Sequence, residues 1–256
     1  MTGERSLDKT EQESFLVRIA GVTLLVRPAC PGLRPYFRDF ETEEGEPAFT
    51  AASVPERLRR LEKSIRQAGD PLPSPRQMEL LGLHESITEG LLARDILLMH
   101  GSALAVDGRA CIFSAPSGTG KSTHARLVRE LLGDRVLMIN DDKPYLRFDP
   151  ERVMVCGSPW MGKHRLGAPV ERPLTGLVFL TRGKTDSIRP LEPREELPLL
   201  LTQLYRPREA ELMQRSLVLI DRLVREIPMY RMACTMEPDA PRLSMETLFG
   251  PGTCPP

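Results

Sequence analysis

Ala115-Pro116-Ser117-Gly118-Thr119-Gly120-Lys121-Ser122-Thr123 is a glycine-rich run ending in Gly-Lys-Ser-Thr. A small residue, four variable positions and then Gly-Lys-Ser form a phosphate-binding loop, in which glycine lets successive backbone N–H groups turn inward toward phosphate oxygens. Ala115 stands where glycine is commoner, keeping the side chain small. The candidate nucleotide-binding residues are Ser117, Gly118, Thr119, Gly120, Lys121, Ser122 and Thr123. Lys121 would reach the β- and γ-phosphates and Ser122 would offer its hydroxyl to Mg²⁺. The flanks agree: Ala110-Cys111-Ile112-Phe113 has the length and character of a buried strand, and Ala125, Val128, Leu131 and Leu132 recur at helical spacing before Gly133. The positive end of that helix would face the phosphates.

Working outward, Asp107-Gly108 lies between the apolar runs Ala103–Val106 and Ala110–Phe113, which predicts a hairpin. The strand feeding the loop then has an antiparallel partner, so the expected core is α/β with a mixed β-sheet and not the all-parallel sheet of the simplest phosphate-loop folds. On the far side of the helix, Val136–Ile139 reads as a buried strand with Asn140-Asp141-Asp142 at its carboxyl end. Ligands bind at that end of an open α/β sheet. Phosphoryl transfer needs positioning, a metal and charge neutralisation. Ser122 and one of the two aspartates are the candidate metal ligands, and the other aspartate is the candidate base for an acceptor hydroxyl. Neighbours on an extended strand point to opposite sides, which allows the pair to divide these tasks. An ordinary aspartate titrates near about 3.9 and is a weak base unless burial or a like charge raises it. His100 precedes the hairpin that leads to the loop and is a further candidate. Lys163, His164 and Arg165 are either a clamp for phosphate or a substrate acid, or plain surface. Trp160 either stacks on a ligand or closes a core edge.

The remaining chain reads as alternating elements. Phe15, Val17, Ile19 and then Val22, Leu24, Val26 predict a hairpin around Gly21. Phe37–Phe40 and Ala48–Val54 are expected to add strand on either side of a solvated acidic loop, Glu41–Glu46. A helix is expected over Pro55–Gln67, and Pro71–Pro75 marks a boundary. The predicted organisation is a small β-rich N-terminal subdomain, 1–75, and a core, 76–256. An amphipathic helix is expected over Gln77–Ile96 and a hairpin around Asp149-Pro150. A strand over Gly176–Leu180 is expected to pair with Ser187–Pro190. Helices are expected over Arg194–Leu204 and Glu209–Arg225, then a strand over Tyr230–Cys234 and a closing helix over Ala240–Phe249. Met213, Met229, Met232 and Met236 read as packing residues.

Among 256 residues, Lys plus Arg and Asp plus Glu are 35 each, so bulk positive charge does not argue for a nucleic acid partner. Met1–Glu13 is polar and no apolar run is long enough to cross a bilayer, so a cytoplasmic location without a membrane partner is expected. The five scattered cysteines form no CxxC pair and read as reduced thiols. Homo-oligomerisation is left open.

The run His100-Gly-Ser-Ala-Leu-Ala-Val-Asp-Gly-Arg-Ala-Cys-Ile-Phe-Ser-Ala-Pro-Ser-Gly-Thr-Gly-Lys-Ser, followed by Ile139-Asn-Asp-Asp, resembles the HPr kinase/phosphorylase family within the phosphoenolpyruvate carboxykinase-like group. The resemblance spans about 97 to 180. It implies a mixed-sheet P-loop core of that type, with Asp141 matching the family's base, Asp142 its metal carboxylate, and His100 the histidine of its His-Gly pair. Gly157-Ser-Pro-Trp-Met-Gly-Lys departs from the family's Ile-Arg-Gly-type signature, the segment that serves both transfer directions there, so the resemblance does not extend to the phosphorylase reaction or to HPr as the substrate. The chain is more similar to the stand-alone HPr-kinase-like proteins, among them kinases of lasso precursor peptides. The expectation is a kinase using ATP and Mg²⁺ that phosphorylates a serine hydroxyl of a peptide or small protein. A kinase of a small metabolite and a nucleotide-binding regulatory protein are the alternatives.

Overall fold

A computed structural model describes residues 14–235 and 237–255. The polar segment 1–13 and the expected packing residue Met236 lie outside the described residues. The chain divides into two compact units between Leu91 and Leu92.

In the first unit β1 (Phe15–Ile19) and β2 (Val22–Arg27) pair antiparallel across a tight turn, and β3 (Thr50–Ala52) adds in parallel to β2. The alternation expected of the hairpin is met, with Phe15, Val17, Ile19, Leu24 and Val26 buried. Phe37–Phe40 is not a strand. The chain there forms two short 3₁₀ turns, Arg34–Tyr36 and Arg38–Phe40. Pro35 presets a helical φ and lacks a ladder donor, and the three-residue repeat buries Phe37 and Phe40 together. Two helices follow, α1 (Pro55–Ala68) and α2 (Pro75–Leu92). Arg57 of α1 pairs with Glu85 at 3.1 Å and Glu89 at 2.7 Å of α2. These pairs keep α2 with α1, so the division falls after it instead of at 75. Nor is α2 a simple amphipathic helix reaching Ile96: Leu81 is exposed while Glu79 and Thr88 are buried, and a turn with Asp95 at φ 60 ends it.

The second unit is built on one large mixed sheet. Its strands are β4 (Ile96–Leu98), β5 (Ser102–Val106), β6 (Arg109–Ser114), β7 (Val136–Asn140), β8 (Tyr145–Phe148), β9 (Val153–Cys156), β10 (Glu171–Arg182), β11 (Ser187–Pro190) and β12 (Met229–Cys234). The order β4-β8-β9-β10-β6-β5-β7 runs across it, with β12 on β10 and β11 on β12. The expected hairpin is there, with β5 antiparallel to β6 and Asp107 and Gly108 both at positive φ, 47 and 81, as a type I′ turn requires. β10 lies parallel to β6 on one edge. On its other edge it is antiparallel to β9 over its first residues and parallel to β12 over its last. Both edges of β10 are therefore occupied, and Ser187–Pro190 pairs with β12 instead of with it.

Side chains of β5 and β6 alternate between two buried faces. Ala103, Ala105, Ala110 and Ile112 join one core with Leu200, Leu219, Ile220 and Leu223, from α4 (Pro193–Gln203) and α5 (Ala210–Glu226). Leu104, Val106, Cys111 and Phe113 join another with Ala125, Val128, Ala240, Met245 and Leu248, from α3 (Lys121–Leu132) and α6 (Ala240–Phe249). Strands buried on both faces read as continuous apolar runs, as these do. The second unit is thus a mixed α/β layer structure with β5 and β6 at its centre. β7 is an outer strand, and Leu137 is exposed where a buried residue was expected. Cys111, Cys156, Cys234 and Cys254 are buried free thiols, and Cys30 is free and half-buried. Met229 and Met232 are buried, as packing residues should be. No described helix is long and apolar enough to cross a membrane.

Candidate active site

The phosphate-loop motif sits between the carboxyl end of β6 and the first residue of α3. Gly118 and Gly120 lie at φ 77 and 120, conformations that favour glycine. The Lys121 ammonium donates to the Ala115 carbonyl at 2.8 Å and the Pro116 carbonyl at 3.4 Å, lying back along the loop. Burial lowers its pKa, opposed by the charges of Asp142 and Asp141. Arg182, at the end of β10, donates to the Gly118 carbonyl at 2.9 Å and ties the loop to the neighbouring strand.

The aspartate pair follows β7. Its geometry is set by Asn140, a fully buried residue. The Asn140 Oδ1 accepts from the backbone N–H groups of Asp142 at 2.9 Å and Lys143 at 2.7 Å, folding the chain into an Asx turn. Its Nδ2 donates to the backbone oxygen and hydroxyl of Ser158, both at 3.0 Å. Asp141 is 8% exposed, and its Oδ1 accepts from the Ser102 hydroxyl at 2.7 Å. Asp142 faces other partners: the His100 Nδ1 at 3.2 Å and the Lys143 ammonium at 2.8 Å. Burial alone would raise the Asp142 carboxyl, but the hydrogen bonds and charges of His100 and Lys143 outweigh it and bring the pKa down to about 2. The two carboxylates therefore have different surroundings, as alternation along a strand end allows.

His100 is anchored at both backbone groups: its N–H donates to the Gln203 carbonyl at 2.7 Å and its carbonyl accepts from the Ser114 hydroxyl at 2.8 Å. The loop after β9 closes over the aspartates. Gly162, at φ 68, brings its backbone so near that an added Cβ would stand 3.1 Å from the Asp142 Cβ. Trp160 closes a core edge: it is buried, and its indole N–H donates to the Tyr145 hydroxyl at 3.2 Å.

These elements enclose one cavity of about 620 Å³, lined by His100, Ser117, Gly118, Gly120, Lys121, Ser122, Thr123, Asp141, Asp142, Gly162, Lys163 and His164. Thr119 does not line this cavity; it lines another hollow with Arg182, which Ser117 and Gly118 also line. Of the proposed clamp, Lys163 lines the main cavity, whereas exposed Arg165 does not. Among the described residues no group of three or more His, Cys, Asp or Glu is placed to hold a metal ion. Magnesium is bound differently, through one or two protein oxygens with water and substrate phosphates completing the shell. Ser122 and Asp142 are hard oxygen donors on the same cavity and fit that demand.

Sequence reasoning missed Ser102, Ser158 and the role of Asn140. Their partners are 39 and 18 residues distant in the chain, and no local pattern encodes those pairings.

No family model matches the chain, and no curated protein matches it. Among solved structures the chain is similar to the Hpr(Ser) kinase/phosphatase from Coxiella burnetii, at 14% identity and a TM-score of 0.29, with 50% of this chain and 92% of that chain covered.

Proposed function

We propose that this chain is a kinase of the HPr-kinase-like P-loop type, which uses ATP and Mg²⁺ to phosphorylate a serine hydroxyl of a peptide or small protein. The observation that carries the reading is that Lys121, Ser122, Asp141 and Asp142 line one cavity. A phosphate loop alone serves many functions. A phosphate loop facing a buried carboxylate with a hydrogen-bonded orienting hydroxyl has what transfer to a hydroxyl needs.

In this reading the acceptor oxygen attacks the γ-phosphorus and its proton passes to the Asp141 carboxylate. The bond to the β–γ bridging oxygen breaks, and ADP leaves with that electron pair. Lys121 neutralises charge on the transferred group, and the Ser102 hydroxyl orients Asp141. Ser122 and Asp142 would hold Mg²⁺, which when bound would add charge neutralisation for the nucleotide phosphates. The low pKa of Asp142 suits a permanently ionised ligand and makes it a poor base. His100 and Lys143 hold that carboxylate in place. The proposed location is the cytoplasm, with no nucleic acid or membrane partner.

The test is to incubate the full chain with γ-labelled ATP, Mg²⁺ and a serine-containing peptide library beside a pool of small hydroxylated metabolites. The reading expects acid-stable, alkali-labile label on peptide. Label on metabolites alone would move the acceptor class, and ATP binding with no transfer to either would contradict a kinase.

A further inference from the structure

A second hollow adjoins the phosphate cavity, of about 450 Å³, between α3, the outer strand β7 and the loop after β9. Ser122, Thr123, Asp141 and His164 line both. Away from that shared mouth its walls are Arg126 and Arg129 of α3, Met138 of β7 and Leu166 of the loop. We infer that this groove is the acceptor subsite and that it selects a peptide carrying a carboxylate close to the serine that is phosphorylated. The inference rests on the kinase reading above and adds the substrate class.

Three features carry it. First, the groove opens on Asp141, the proposed base, so a chain lying in it presents a hydroxyl where proton removal is needed. Second, Thr123, Arg126 and Arg129 recur every three residues and share one helix face, so the two cations form a ridge leading away from the phosphates. Arg126 is ion-paired with Glu130. The Arg129 guanidinium has no hydrogen bond or ion pair among the described residues, which leaves its planar donor fork for a carboxylate. Asp141 at the mouth is the sole acidic residue of the lining. Third, Thr123 to Arg129 spans roughly 9 Å of helix axis at about 1.5 Å per residue. That length matches about three residues of extended peptide, and Met138 and Leu166 offer apolar contact beside the charge.

The experiment presents the full chain and MgATP with two peptide libraries, each with one fixed serine, and with a pool of small hydroxylated carboxylic acids. Flanking positions are Asp and Glu in one library, and Asn and Gln in the other. Wild type should phosphorylate the acidic library about tenfold better in kcat/KM, and Arg129→Gln should lose that preference, mainly through KM. Arg129→Lys should restore part of it. If Arg129→Gln fails to fold, the wild-type ratio between libraries decides. Equal phosphorylation of both libraries by wild type overturns the groove assignment and leaves the kinase reading standing. Label confined to small carboxylic acids overturns the peptide occupant. No label on any acceptor while ATP binds overturns the kinase reading and this inference together.

Discussion

Two adjacent aspartates, Asp141 and Asp142, face different neighbours, Ser102 for the first and His100 and Lys143 for the second. Asp141 and Asp142 were legible as candidates because they end an apolar strand beyond a phosphate loop, and His100 because it precedes the hairpin. What divides them was not legible. Ser102 reaches Asp141 from 39 positions away, and Asn140 is pinned by Ser158 from 18 positions away. If Ser102 orients the base, Ser102→Ala should lower kcat about tenfold with KM for ATP little changed and should alter the pH–rate profile, measured by steady-state kinetics. Removing the Asn140 side chain leaves the Asp142 and Lys143 N–H groups and the buried Ser158 groups short of partners. Asn140→Ala should therefore cost about 1–3 kcal/mol, read as a lower denaturant midpoint. The Asp142 pKa of about 2 lies below the ordinary carboxylate value of about 3.9. A carboxylate depressed on folding contributes stability that is present above the unfolded value and is lost as pH falls toward the folded one. Unfolding free energies measured from pH 5 to pH 2 should fall below about pH 4, and the decline should be shallower in Asp142→Asn.

Elements were legible where periodicity or turn chemistry was local. Asp107-Gly108 between two apolar runs announces the β5–β6 hairpin, and the structure has both residues at positive φ. Gly108→Ala should destabilise the chain by about 1 kcal/mol, seen as a shifted denaturant midpoint with an unchanged slope. Phe37–Phe40 was misread because two aromatic residues in a short run suit a strand as well as a 3₁₀ turn, and Pro35 favours the turn. The partner of β11 was misread for another reason: a strand's neighbour depends on which edges are already taken, and β10 had none free. The loop after β9 was legible as glycine-rich and cationic. Its close approach to Asp142 at Gly162 is a property of the fold.

The sheet of the second unit explains why the Gly-Lys-Ser loop and the aspartates meet. β6 ends at the loop, β7 ends at the aspartates, and β5 lies between them, antiparallel to both. The mixed sheet was legible from the hairpin, whereas the strand order and the division after Leu91 depend on long-range contacts. Because β6 is flanked by β5 and β10 and buried on both faces, its amides should exchange with deuterium most slowly in this unit, and those of the outer strand β11 much faster. The role proposed for Asp141 is that of the base that takes the acceptor proton. It is tested most directly by the rate of γ-phosphate transfer at saturating MgATP in wild type and Asp141→Asn, with nucleotide affinity measured alongside. A fall of about 10²–10⁴-fold in that rate with ATP still bound is expected of the variant. An Asp141→Asn variant that transfers phosphate as fast as wild type would contradict that role.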